Sequence, residues 1–207
     1  MAIKLKICGV TRPEDLAACV ELGVDAIGIN LWSGSRRGLS IAQAKQLLRE
    51  APAGGPERVG VFVHPSEDEV RRAHAELGLD LVQIITDGPT AAPSLPYMHV
   101  IRGTPALDQL AVPSPAPTRF LLDAAVPGYG GAGQTTDWGW ARAAVQQLSP
   151  AAPVWLAGGI TPDNAAAAVL AVAPAGLDVA SGAELPDARR GEKDRARIAA
   201  LLAACRG

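Results

Sequence analysis

Eight times along its 207 residues the chain repeats one unit: a short apolar run, a turn, then text with helical spacing. The apolar runs are IKLKIC, DAIGIN, RVGVFV, LDLVQII, YMHVIR, TRFLLDA, APVWLAGG and GLDVASG. Nearly all are followed by helical text, such as TRPEDLAACVELG after the first and KDRARIAALLAAC after the last. Repeated βα units imply parallel strands joined by helical crossovers. Eight of them are the count of a closed (β/α)₈ TIM barrel, expected here as a single domain over residues 1–207. The segment TDGPTAAPSLP after the fourth run carries three prolines, so helix 4 is expected to be short or absent. A doubly wound open sheet is the rival architecture, but no GxGxxG turn follows the first strand.

Helix ends are legible in places. Ser40 is an N-cap candidate, and Ser66 with Glu69 has capping-box spacing, as does Thr11 with Glu14. Gly23 is expected to stop the first helix, and Pro162 to open another after Thr161.

Composition narrows the function classes. A net charge of −2 without a basic run gives no footprint for nucleic acid or a membrane surface. No apolar stretch approaches a membrane span and the N-terminus lacks a signal-peptide core, so a cytoplasmic protein is expected, as monomer or homodimer. Three cysteines without paired spacing argue against a disulfide framework or a zinc site. His64, His74 and His99 are scattered, so no metal and no cofactor is expected.

The first strand carries the anomaly. Side chains alternate along a strand, so Lys4, Lys6 and Cys8 share one face and Leu5 and Ile7 the other. In a barrel Leu5 and Ile7 meet the helical shell and Lys6 points inward. A buried ammonium without a partner is costly, and Asp178, inward-facing on the strand that closes against the first, is the expected counter-charge. Active sites of barrels lie where strands end. Cys8 ends the first strand and Asp123 the sixth. Each has an ordinary reading: a buried cysteine is commonly an inert small hydrophobe, as assigned to Cys19 and Cys205, and a lone aspartate after a strand commonly caps a loop. Gly158 and Gly159 after the seventh strand, and Ser181 and Gly182 after the eighth, would let backbone amides approach a phosphate.

Six stretches in order, KICGVTRPEDL, SGSRRGLS, RVGVFV, FLLDAAVPGYGGAGQTTDW, LAGGITPDN and LDVASGAE, resemble the phosphoribosylanthranilate isomerase family of tryptophan biosynthesis. The resemblance implies an Amadori rearrangement of a phosphorylated small molecule, N-(5-phosphoribosyl)anthranilate, with Asp123 as general acid and Cys8 as general base. It further implies that Arg37 meets the anthranilate carboxylate while neighbouring Arg36 points to solvent. The phosphate is expected on amides of Gly130, Gly131 and Gly133, of Gly158 and Gly159, and of Ser181 and Gly182. For this chemistry the Asp123 carboxyl must be raised and the Cys8 thiol lowered from their ordinary values.

The chain departs from the family pattern at QIITDG, where Ile85 and Thr86 replace a His-Gly pair. It departs again at Gln134 and Thr136, for Lys and Phe, and at Ala180, for Ser. The alternatives are a related barrel acting on another aminosugar phosphate and a phosphate-binding barrel without turnover. An indole-glycerol-phosphate synthase would need a strand-end lysine with a glutamate partner. An aminoimidazole-ribotide isomerase would need an aspartate where Cys8 stands.

Overall fold

Side-chain alternation and closure together determine this architecture. In a computed structural model, which describes residues 2–49, 51–52, 54–86, 92–124, 136–185 and 191–207, eight parallel strands close in sequence order into one barrel. The strands are β1 (Lys4–Cys8), β2 (Ala26–Asn30), β3 (Glu57–Val63), β4 (Leu81–Ile85), β5 (Tyr97–Arg102), β6 (Arg119–Asp123), β7 (Val154–Leu156) and β8 (Gly176–Val179). The helices are α1 (Pro13–Leu22), α2 (Ile41–Leu48), α3 (Glu67–Leu77), α4 (Trp138–Leu148), α5 (Ala165–Val172) and α6 (Arg195–Arg206). This is the (β/α)₈ barrel that the repeat implies. No α-helix lies among the described residues between β4 and β5, and only the 3₁₀ turn Leu107–Gln109 follows β5.

Local chemistry explains most of the ends. Ser40 and Ser66 each accept from the amide three residues on, while Gln43 and Glu69 bond back to the cap amide, completing two capping boxes. Gly23 ends α1 at φ 74°, a left-handed conformation that favours glycine. Two expected starts are corrected. Helix α1 is capped by Arg12 without a side-chain bond, with Pro13 in the first position, so Thr11 and Glu14 form no capping box. After Thr161 the chain first makes a turn, and α5 begins beyond Asn164, whose side chain accepts from Thr161 N and donates to Gly159 O.

Two apolar clusters follow from the alternation. Leu5, Ile7, Ile27, Phe120 and Leu177 face outward into the layer beneath the helices. Ala26, Val59, Leu81, Met98, Leu121 and Trp155 fill the barrel interior. At the N-terminal end of the interior, Arg119 bonds Glu57 at 2.7 Å and lies over the Trp155 ring, 4.9 Å from its centre. The barrel is thus plugged below, and its open, polar end lies where the strands finish.

Gly176 makes room for that plug, because a Cβ there would stand 2.5 Å from the Trp155 ring. Gly176→Ala is expected to destabilise the fold by about 1–3 kcal/mol through overpacking. Urea unfolding checks this, and an unchanged midpoint refutes it.

Candidate active site

The polar end begins with a buried charge. Lys6 is fully buried, and its Nζ lies 2.7 Å from Asp178 Oδ2 and 2.8 Å from Gln83 Oε1. Lys6 and Asp178 are register partners across the β1–β8 seam, so closure of the barrel itself makes the pair. Burial works against the ammonium, but Asp178 and then Cys8 outweigh it and raise the Lys6 pKa above its ordinary value. Asp178 Oδ1 is buried and accepts no hydrogen bond from a described residue, which leaves one acceptor on the floor of the site.

Cys8 stands one inward position further along β1. Its register partner is Gly28, where a Cβ would lie 2.7 Å from Cys8 Sγ and 3.2 Å from Lys6 Cε. The bare backbone of β2 is therefore what admits both side chains. The thiol does not behave as expected. Burial pushes its pKa up and Asp178 adds to the rise, while Lys6, Lys193 and Arg37 pull it down without prevailing. The expected lowering is corrected: the thiol lies above its ordinary value, and at neutral pH it keeps its proton.

Asp123 ends β6 at the same mouth. Enclosure in the site and the nearby Asp178 raise its carboxyl to about 6, against the opposing pull of the Ala124 amide, Arg102 and Lys6. Asp178 thus acts electrostatically on both Cys8 and Asp123, which share one end of the barrel.

The loop after β2 brings Arg37 into the interior face of the mouth. It is buried, and its Nε and Nη2 donate to Glu184 at 2.5 and 3.0 Å. Arg36 does not simply point to solvent: the residue is exposed, but its Nη2 reaches Glu184 at 3.1 Å. Lys193 Nζ completes the group, 3.0 Å from Glu184 and 3.0 Å from Ala180 O. The last bond uses a backbone carbonyl, so it is indifferent to Ala180 standing where Ser is common.

Gly158 and Gly159 both adopt positive φ, 86° and 65°. A Cβ on Gly158 would meet Thr136 Oγ1 at 2.5 Å, and that hydroxyl donates to Ala157 O at 2.9 Å. Thr136, where the family pattern has Phe, is thereby tied to the backbone just before Gly158. A Cβ on Gly182 would run into Ile160 O. None of the amides of Gly158, Gly159, Ser181 and Gly182 donates to a protein acceptor among the described residues. Gly130, Gly131, Gly133 and Gln134 lie outside the described residues.

This arrangement has counterparts. The family model described as N-(5'phosphoribosyl)anthranilate (PRA) isomerase matches residues 5–204. The chain belongs to that family. The N-(5'-phosphoribosyl)anthranilate isomerase of Chromohalobacter salexigens is 42% identical over 205 residues, covering 96% of this chain and 92% of that protein. The crystal structure of phosphoribosyl anthranilate isomerase from Thermotoga maritima superposes with a TM-score of 0.81 at 28% identity, covering 98% of each chain. Another isomerase of the family, solved in complex with reduced 1-(O-carboxyphenylamino)-1-deoxyribulose 5-phosphate, gives a TM-score of 0.77 at 25% identity, also over 98% of each.

Sequence reasoning missed Gln83, Arg102, Glu184 and Lys193. Gln83 and Arg102 had a usable signal, since both fall at inward positions of their strands under the same alternation that singled out Lys6. Glu184 and Lys193 pair with each other in an isolated antiparallel bridge outside the barrel strands, where no periodicity points to them.

The raised Asp123 carboxyl has a stability consequence. Folded, Asp123 holds its proton up to about pH 6, whereas unfolded it releases it near pH ~4, so its penalty is absent at acid pH and grows as pH rises between those values. At pH 7 the penalty is at most roughly 3 kcal/mol. Asp123→Asn is expected to melt higher than the parent at pH 7, with the advantage shrinking toward pH 4. An equal advantage at both values would contradict the assignment.

Proposed function

We propose that the protein isomerises N-(5-phosphoribosyl)anthranilate to 1-(2-carboxyphenylamino)-1-deoxyribulose 5-phosphate with Asp123 as general acid and Cys8 as general base. The observation that carries this reading is one barrel mouth holding a carboxyl raised to about 6 and a thiol flanked by Lys6, Lys193 and Arg37. A carboxyl that keeps its proton to that pH can donate it near neutrality; an ordinary one cannot.

The anilino nitrogen lone pair drives cleavage of the ring C1–O bond, and the departing oxygen takes the Asp123 proton. The product of this step is an open-chain iminium. Cys8, as thiolate, removes the proton at C2; the C–H electrons form a C1–C2 double bond and neutralise the nitrogen. The resulting enolamine tautomerises to the ketone. Asp178 Oδ1 offers an acceptor for a sugar hydroxyl. The phosphate sits on the amides of Gly158, Gly159, Ser181 and Gly182, joined by Gly130, Gly131 and Gly133, and Arg37 meets the aryl carboxylate. That the amides of Gly158, Gly159, Ser181 and Gly182 meet no acceptor among the described residues supports that placement.

The resting protonation is the inverse of the working one, because at pH 7 the carboxyl is mostly ionised and the thiol mostly neutral. Two features favour the working form. The three cations around Cys8 stabilise its thiolate, and the positive iminium that precedes C2 deprotonation adds to them.

The kcat/KM profile is expected to be bell-shaped, with its acid limb near pH 6 and its alkaline limb above the ordinary thiol value. Cys8→Ser and Asp123→Asn should each lose roughly 10²- to 10⁴-fold in kcat while remaining folded. Near-parental turnover of phosphoribosylanthranilate by either variant would sink the acid–base assignment.

A further inference from the structure

Glu184 accepts from three cationic side chains at once. Its Oε1 takes Arg37 Nε at 2.5 Å and Lys193 Nζ at 3.0 Å, and its Oε2 takes Arg37 Nη2 at 3.0 Å and Arg36 Nη2 at 3.1 Å. Glu184, Arg37 and Lys193 are all buried, so two buried cations share one buried carboxylate. Burying such a cluster is expensive, and its retention points to a use.

The geometry of Arg37 shows what that use is. A guanidinium has two edges that can fork a carboxylate. Glu184 occupies the Nε–Nη2 edge, while Nη1 bonds to no described residue. The aliphatic stem is held as well: a Cβ on Gly9, whose φ is 72°, would run into Arg37 Cδ, and one on Gly191 would reach within 3.9 Å of Cγ. Gly9 directly follows Cys8, so the stem of Arg37 is packed on the same turn that carries the proposed base.

We infer that Glu184 is a positioning residue for substrate binding. It clamps the Nε–Nη2 edge of Arg37 and leaves the Nη1 side for the carboxylate of an anionic aromatic substrate. This rests on the reading that Arg37 meets that carboxylate. The orientation reduces the rotamer freedom lost on binding, and two buried cations, Arg37 and Lys193, keep the site attractive to an anion although one carboxylate already lies within it. Lys193 is held by Glu184 and by Ala180 O, and it also favours the Cys8 thiolate, so the clamp ties anion recognition to the base.

The test separates positioning from simple charge. Glu184→Gln removes a negative charge from a cationic cluster. A purely electrostatic role predicts tighter anion binding and a lower KM, whereas a positioning role predicts the opposite. With phosphoribosylanthranilate as substrate, Glu184→Gln is expected to raise KM about tenfold or more with kcat within about threefold, the pattern of lost ground-state binding. In an Arg37→Lys background the same substitution should add little, because Glu184 acts through Arg37. An unchanged or lowered KM, or additive effects in the double variant, would overturn the inference. If Glu184→Gln does not fold, Glu184→Asp carries the test: charge is kept and reach shortened, so KM should still rise, and an unchanged KM refutes positioning. If neither folds, Glu184 is purely structural and the inference falls. A parent protein that fails to turn over phosphoribosylanthranilate would instead refute the functional reading on which this rests.

Discussion

The Lys6–Asp178 pair is the interaction on which the site depends. Stripping water from an ammonium costs several kcal/mol, and a single hydrogen bond does not restore it. Lys6 therefore takes both Asp178 and Gln83, and its three-cornered contact ties β1, β8 and β4 across the barrel. Replacing one partner of such a pair leaves an uncompensated charge, typically a loss of roughly 3–5 kcal/mol. A hydrophobic pair would hold the barrel together at least as well. What it would not do is set the potential that Cys8 and Asp123 experience. Asp178 raises both, and Lys6 lowers both, so one ion pair biases the acid and the base together.

That shared bias has a chemical logic. The acid profits from a raised pKa and the base suffers from one, so a single negative group cannot serve both. The cations are unevenly distributed accordingly. Lys193 and Arg37 act on Cys8, while Arg102 acts on Asp123. This uneven placement narrows the gap between the resting pair, an ionised carboxyl and a neutral thiol, and the working pair that moves one proton onto oxygen and another off carbon.

Much of this was legible in the residues. The alternation in IKLKIC identified the inward lysine before any pairing was known, and the capping pairs at Ser40 and Ser66 located two helix starts through local bonds alone. Where two local devices competed, reading by spacing failed: Pro13 pre-sets the first helical position and displaced the Thr11–Glu14 box. The Cys8 thiol went the other way from expectation because its pKa is a sum over burial and four charges, and burial is a property of the closed barrel. Glu184 was invisible for a related reason. It meets Arg37 across 147 positions of sequence, and nothing in either segment announces the other.

Gly28 has a consequence for how this barrel can diverge. A residue that is absent as a side chain sets the volume available to its neighbour on the next strand, since a Cβ at 28 would press on the sulfur of Cys8 and on the stem of Lys6. Chemistry at the end of β1 is therefore licensed from β2. A lineage exchanging the thiol for a bulkier or longer base has to keep β2 bare, and one that adds even a methyl to β2 presses on the sulfur, on the Cys8 backbone and on the Lys6 stem together. The two positions form an epistatic pair. The order in which they change decides whether an intermediate sequence still has room for a base.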